Sequence, residues 1–363
     1  VGTALDAPTD ATRVDATGKW VTPGIIDVHS HLGVYPSPGV SAHSDGNEMT
    51  SPVTPNVGAE DSIWPRDPGF EAALAGGITS LQILPGSANL IGGRGVTLKN
   101  VPSTTYQGMK FPGAPWGLKM ACGENPKRVY GSRNTSPGTR MGNVAGYRAA
   151  FIDASEYLRK TTPKPAAPKK SRWWQSSTAA NGADSEKDTG GKRDLKLDTL
   201  AGAIKGDILV HIHCYRADEM TTMLDLAKEF GFKVAAFHHG VEAYKIADRL
   251  AAENVCGALW ADWWGFKMEA FDGIQENIAI VDRPANSCAM LGIGERTGTL
   301  EPGKMADVVV WNGNPFSVYA KAEQVYIDGA RIYDRADPSR QPKSDFMLGQ
   351  PAAQTVPAIG GVR

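Results

Sequence analysis

Val21-Thr-Pro-Gly-Ile-Ile-Asp-Val-His-Ser-His31 is the stretch on which the reading of this chain turns. Pro23-Gly24 is a turn signal, residues 25–28 are apolar save for Asp27, and the run ends on two histidines. A short apolar run entered through a turn reads as a buried strand. Side chains alternate along a strand, so His29 and His31 share a face and stand roughly 6.6 Å apart along it. Two imidazoles so placed can share one divalent ion, and neutral imidazole suits zinc as well as manganese, iron or nickel.

The same pattern recurs twice. Residues 208–213 form an apolar strand that delivers His211 and His213, and residues 233–238 form another that ends on His238 and is followed by His239. The adjacent pair should point to opposite faces, so a regular strand brings at most one of them to a site. A lone histidine at a strand end is most simply a hydrogen-bonded core residue. Three pairs at three strand ends are not explained that way, and they point to a metal. The seventh histidine, His43, lies in a Pro-, Ser-, Gly- and Asn-rich loop over 34–62 and reads as a non-ligand.

Between these strands the pattern alternates. Residues 70–75 end a helix, 78–84 and 117–122 are strands, and 145–160, 217–230 and 241–254 are helices. A further apolar run covers 255–260. Alternation of this kind implies a parallel sheet with its active site at the C-terminal strand ends. Residues 161–195 interrupt it with a Pro-, Lys- and Ser-rich flexible insertion that contains Trp173-Trp174. Residues 297–335 read as a small β unit, with a hairpin turn at Asp328-Gly329, and 336–363 as a tail.

Composition excludes several classes. The 363 residues carry 38 Lys plus Arg against 39 Asp plus Glu, a net charge of −1. Nucleic-acid binding needs a basic excess that is absent here. There is no run of 18 apolar residues to cross a membrane. A small-molecule substrate is the expected partner, and a homo-oligomer is left open. Cys122, Cys214, Cys256 and Cys288 are widely spaced without a CxxC, and read as four free thiols. No signal peptide is visible. The chain begins at Val1-Gly2 without Met, so the compartment stays open between cytoplasm, which is favoured, and periplasm.

The motifs resemble the amidohydrolase superfamily, whose barrels open with a PG-(I/L)-(I/V)-D-x-H-x-H strand. His213-Cys-Tyr-Arg-Ala-Asp-Glu-Met220 and His239-Gly-Val-Glu-Ala-Tyr-Lys-Ile-Ala-Asp248 are similar to the fifth- and sixth-strand motifs of its imidazolonepropionase-like branch. Gly298-Thr-Leu-Glu-Pro-Gly-Lys-Met-Ala-Asp-Val-Val-Val310 resembles the superfamily's return into a β-sandwich. The resemblance implies a (β/α)8 TIM-type barrel over 23–296 and a small β-sandwich built from both chain ends, residues 1–22 and 297–335. It implies one or two zinc ions held by His29, His31, His213 and His239. Gly117-Leu-Lys-Met-Ala-Cys-Gly123 is similar to strands carrying a carboxylated lysine, which points to Lys119, with Glu124 as the rival ligand. His238 and His211 are candidates to steady an oxyanion or to orient ligands.

One part of the pattern is missing. The superfamily's eighth strand ends in an Asp that binds metal and moves a proton. Here Asn286-Ser-Cys-Ala289 looks like the start of that strand, but about one βα unit of the superfamily's pattern is not found in this sequence, nor are the first sandwich strands. Asp262, Asp272 and Asp282 lie nearby without the motif. Beyond the fourth strand Arg128, Tyr130 and Arg140 could meet a substrate carboxylate, and the Gly-rich residues 85–95 could wrap a ligand. Trp260, Trp263 and Trp264 suggest an aromatic wall. The expected activity is metal-dependent hydrolysis of amide, peptide-like or cyclic-amide C–N bonds. The alternatives are an impaired binding or assembly protein, and an isomerase or decarboxylase on the same barrel.

Overall fold

The computed structural model describes residues 2, 6–162, 193–260, 262, 264–282 and 290–343. Strands β1 (Trp20–Pro23) and β2 (Ile25–Ser30) lie either side of Gly24. Helix α1 (Pro68–Ala75) starts on Asp67, whose side chain accepts from the Gly69 N–H, with Pro68 presetting the first helical φ. Then come β3 (Ile78–Ile83), β4 (Ile91–Lys99) and β5 (Trp116–Ala121), followed by α2 (Glu124–Gly131) and α3 (Arg140–Thr161). Helix α4 (Leu195–Lys205) leads into β6 (Ile208–Cys214), α5 (Ala217–Phe230), β7 (Val234–His239), α6 (Ala247–Ala252), β8 (Cys256–Leu259) and α7 (Asn277–Asp282). Strands β9 (Val308–Trp311), β10 (Ala322–Ile327) and β11 (Ala330–Asp334) follow.

Seven strands form one sheet in the order β2-β3-β4-β5-β6-β7-β8. β2 and β3 run parallel, as do β5 through β8, but β4 runs antiparallel to both β3 and β5. The expected uniform strand–helix alternation is therefore broken, because half of the supposed ligand loop is strand β4. Its glycines hide it from the pattern, and sterics require them. A Cβ on Gly93, at φ +117°, would meet Val57 at 2.6 Å, and one on Gly95 would meet the Ile83 carbonyl at 2.9 Å. The expected eighth strand near Asn286 and most of the 161–195 insertion lie outside the described residues.

The sheet curls. In a flat sheet β2 and β7, five positions apart, would be separated by about 24 Å. The His29 ring on β2 instead lies 4.7 Å from the His238 ring on β7. Strand period sets what each face carries. Leu118 and Met120 of β5, and Val210, Ile212 and Cys214 of β6, pack outward into one core with Tyr147 and Phe151 of α3 and the apolar stripe of α5. That stripe is Met220, Met223, Leu224 and Ala227, one helical face, and burying each large side chain contributes about 1.5–3 kcal/mol. Lys119, His211 and His213, the alternate residues, are left on the inner face.

The chain ends meet in a second sheet, ordered β1-β9-β10-β11 and wholly antiparallel. Among the described residues this is one four-stranded sheet and not the two layers of a sandwich. Val309, Trp311, Val325 and Ile327 pack with Leu74 of α1, which fastens it to the barrel sheet. The helix expected over 241–254 is divided into a 3-10 turn at Ala243–Ile246 and α6.

Candidate metal centre

Each histidine pair is carried by a strand end on the inner face. His211 and His238 are wholly buried, and His213 and His239 nearly so. His239 breaks the expected alternation. Its φ of +73° turns the chain as β7 ends, so both members of the pair face inward. The His29 ring then lies 4.7 Å from His238 and 4.8 Å from His239, and the rings of His213 and His239 are 4.3 Å apart.

The nitrogens are ordered. His31 Nδ1 lies 2.7 Å from the Leu84 carbonyl oxygen, which can only accept, so the proton sits on Nδ1 and Nε2 keeps its lone pair. His31 Nε2 and His29 Nε2 are 3.2 Å apart. Two nitrogens bound to one tetrahedral ion at about 2.0–2.1 Å stand roughly 3.4 Å from each other, so this pair has the bite of a chelate. The buried Nδ1 atoms of His213 and His239 lack a hydrogen-bond partner among the described residues. Burial is the main cause that keeps all six rings neutral, and the Lys119 charge adds to it. It holds His29 down to about 2, His31 to about 4 and His211 to about 3, and lowers His213, His238 and His239 as well. Neutral rings are the form that binds metal. Among the described residues no group of three or more His, Cys, Asp or Glu side chains is closed into a ligand set. The chemistry of the donors present nonetheless suits a divalent ion.

Lys119 lies at the centre, fully buried, and donates to the Pro85 carbonyl oxygen at 3.0 Å. Burial lowers its ammonium to about 7, so an amine able to react with carbon dioxide is populated near neutral pH. Glu124 stands apart at the start of α2, its carboxylate 3.6 Å from Lys267. A cavity of about 540 Å³ opens over the histidines, lined by His31, His213 and His239 and by Tyr35, Gly86, Glu124, Asn125, Arg128, Trp260, Phe266 and Lys267.

Other expected contacts fall elsewhere. Tyr130 turns away from this cavity, and its hydroxyl donates to the Ser51 carbonyl at 2.8 Å. Arg140 is held by Glu219 and Glu269. Trp260 lines the cavity. Trp264 is 65% exposed and packs against Phe271, and Trp263 lies outside the described residues. Asp262 and Asp282 are exposed, and Asp272 pairs with Lys245. His43 packs on Trp64. Cys122 and Cys214 are not free thiols but a disulfide, Cα atoms 5.2 Å apart, because β5 and β6 pair in a register that brings their ends together. Sequence reading passed over Gln82, whose amide nitrogen is 3.2 Å from His211 Nε2, and Asn125, at 3.4 Å from His213 Nε2. A long polar side chain alternating with the apolar Leu81 and Ile83 was the available signal for Gln82.

Among known proteins, the chain is similar to a solved structure, an amidohydrolase from Thermotoga maritima MSB8. The two are 36% identical with a TM-score of 0.77, and 92% of each chain is covered. The chain belongs to the amidohydrolase superfamily. No family model matches it. Amidohydrolase tasK from Hapsidospora irregularis is 33% identical over 387 residues, which take in 91% of this chain and 38% of that protein. The chain thus spans well under half the length of that curated relative. Imidazolonepropionase from Vibrio cholerae is 30% identical over 115 residues, 28% of this chain and 27% of that protein. These amidohydrolase relatives accord with the histidine-ended strands from which the site is built.

Proposed function

We propose that this amidohydrolase is a metal-dependent hydrolase of amide C–N bonds, in peptide-like, N-acyl amino acid or cyclic-amide substrates. The observation that carries the reading is the His29–His31 pair, with Nε2 atoms 3.2 Å apart and the His31 lone pair aimed inward by the Leu84 carbonyl. His29, His31, His213 and His239 would hold the metal, with Lys119 as the bridging group once carboxylated. A divalent ion there would supply a water that ionises near neutral pH and would polarise the scissile carbonyl. Zinc suits these ligands best, and other divalent ions suit them too.

The chain's own residues do the rest. Trp260 and Phe266 wall the cavity with apolar surface and exclude water from one side of a substrate. Arg128, exposed at the rim, offers a guanidinium to a substrate carboxylate, the geometry that favours amides bearing a free acid. Gly86 and Ser87 also line the cavity.

The test is amine release from a panel of N-acyl amino acids, dipeptides and cyclic amides, before and after chelation. Activity should vanish on chelation and return with zinc or manganese. Turnover that survives complete metal removal would overturn the reading.

A further inference from the structure

Six polar groups form an unbroken chain through the barrel. It starts at the Leu84 carbonyl, 2.7 Å from His31 Nδ1, and passes from His31 Nε2 to His29 Nε2 at 3.2 Å. His29 Nδ1 lies 2.7 Å from His238 Nδ1, His238 Nε2 lies 2.9 Å from His211 Nδ1, and His211 Nε2 lies 3.2 Å from the Gln82 side-chain nitrogen. A neutral imidazole has one donor and one acceptor, so the proton position at one end dictates all the others. Leu84 fixes the His31 proton on Nδ1. His29 must then donate from Nε2, His238 from Nδ1 and His211 from Nδ1. His211 Nε2 is left as an acceptor, and it faces the Gln82 N–H group that this deduction requires.

The far side of the same amide is unused. Gln82 Oε1 is buried and has no hydrogen-bond partner among the described residues. Space around the amide is provided by Gly117, where a Cβ would meet Gln82 Nε2 at 2.8 Å and His211 Cδ2 at 3.1 Å. An unsatisfied buried carbonyl is costly unless another state uses it.

A metal on His29 Nε2 demands that other state. His29 must then carry its proton on Nδ1 and donate to His238 Nδ1. His238 must donate from Nε2 to His211 Nδ1, and His211 must donate from Nε2. Only an acceptor can meet that last proton, and rotating the Gln82 amide by half a turn presents Oε1. We infer that Gln82 is a positioning residue for the metal: its amide terminates the His211–His238–His29 chain and rotates as the chain reverses, so that His29 can exchange its Nε2 proton for the ion. The protons balance. One leaves His29 Nε2 for solvent, one passes from His238 to His29, one passes from His211 to His238, and one returns from solvent to His211 Nε2. No group in the chain changes charge. An amide suits the end of such a chain because it is both donor and acceptor; a carboxylate would hold only the metal-ready direction.

This inference rests on the metal-binding reading above, and one experiment separates the two. Protein labelled with 15N-histidine is stripped of metal, and the tautomer of each ring is read by NMR before and after titration with zinc chloride, with binding followed in parallel by calorimetry. His238 and His211 should carry their protons on Nδ1 without zinc and on Nε2 with it. Gln82→Glu should show the zinc-like tautomers already in the metal-free protein and bind zinc about 10-fold more tightly, the lower end of effects seen for groups behind a ligand. Zinc binding with unchanged His238 and His211 tautomers overturns the role of Gln82 and leaves the metal reading intact. No zinc binding at all overturns both. The wild-type comparison stands by itself should the Gln82→Glu protein fail to fold.

Discussion

Lys119 is the residue whose environment is most at odds with its chemistry. Its side chain is fully buried among neutral imidazoles, with the Pro85 carbonyl as its hydrogen-bond partner. Burial lowers its ammonium from 10.5 to about 7, whereas an unfolded chain restores the ordinary value. A folded-state value below the unfolded one means that stability is greatest above pH 10.5 and is lost as pH falls toward 7. At neutral pH the lysine therefore costs the metal-free protein about 4–5 kcal/mol. Such a cost is tolerable where the group is needed for something other than stability. Lys119→Met keeps the length of the side chain and removes the charge. It should raise the stability of the metal-free protein at pH 7 by roughly 2–4 kcal/mol, after loss of one hydrogen bond. It should also lower bound metal, and abolish any carbamate signal seen with 13C-bicarbonate. Thermal melts, metal analysis and NMR check these outcomes, and an unchanged or lowered melting temperature would contradict the account.

At the scale of elements, β5 and β6 do the gathering. Their in-phase parallel register sets Lys119 beside His211 and Ala121 beside His213, and the Cys122–Cys214 disulfide ties the two ends just past this point. The bridge closes a segment with a sequence separation of 92, for which the chain-entropy argument gives roughly 4–5 kcal/mol. Cys122→Ala with Cys214→Ala should lower stability by about 2–4 kcal/mol, as measured by urea unfolding of the oxidised parent and the double variant. A difference under about 0.5 kcal/mol would mean that the strand ends are held without it. This pair also marks the limit of sequence reading. His29, His31, His211 and His213 were legible because period-two alternation is a local property of one strand. The extent of α5 over 217–230 and its stop at Gly231, in the left-handed region, were legible because they too are local properties of one segment. The disulfide, the Gln82–His211 contact and the antiparallel course of β4 depend on which strands become neighbours, and no single segment carries that. That His238 and His239 both face inward was not legible, because the turn of His239 requires a positive φ that only the end of β7 imposes.

At the scale of the whole molecule, curling the sheet concentrates six neutral histidines, buried or half-buried, in one volume beneath the cavity. Their folded-state values are all pushed below 6.5, chiefly by burial and further by the Lys119 charge. In the unfolded chain each ring takes up a proton near pH 6.5. The unfolded state thus binds more protons than the folded one in the interval below 6.5, and stability falls as pH falls through it. Each such ring contributes about 1.4 kcal/mol per pH unit, so six together approach about 8 kcal/mol per unit. A domain has only about 5–15 kcal/mol in all. The metal-free protein should therefore unfold cooperatively between about pH 6 and pH 4, beginning above the ordinary carboxylate values of about 3.9–4.3. A bound ion stabilises the folded state in proportion to its saturation and should move the midpoint to lower pH. Far-UV circular dichroism against pH, with and without zinc, gives both midpoints. A metal-free protein still folded at pH 4 would show that the rings reach water or a counter-charge, and the closed, neutral histidine cluster described above would have to be abandoned.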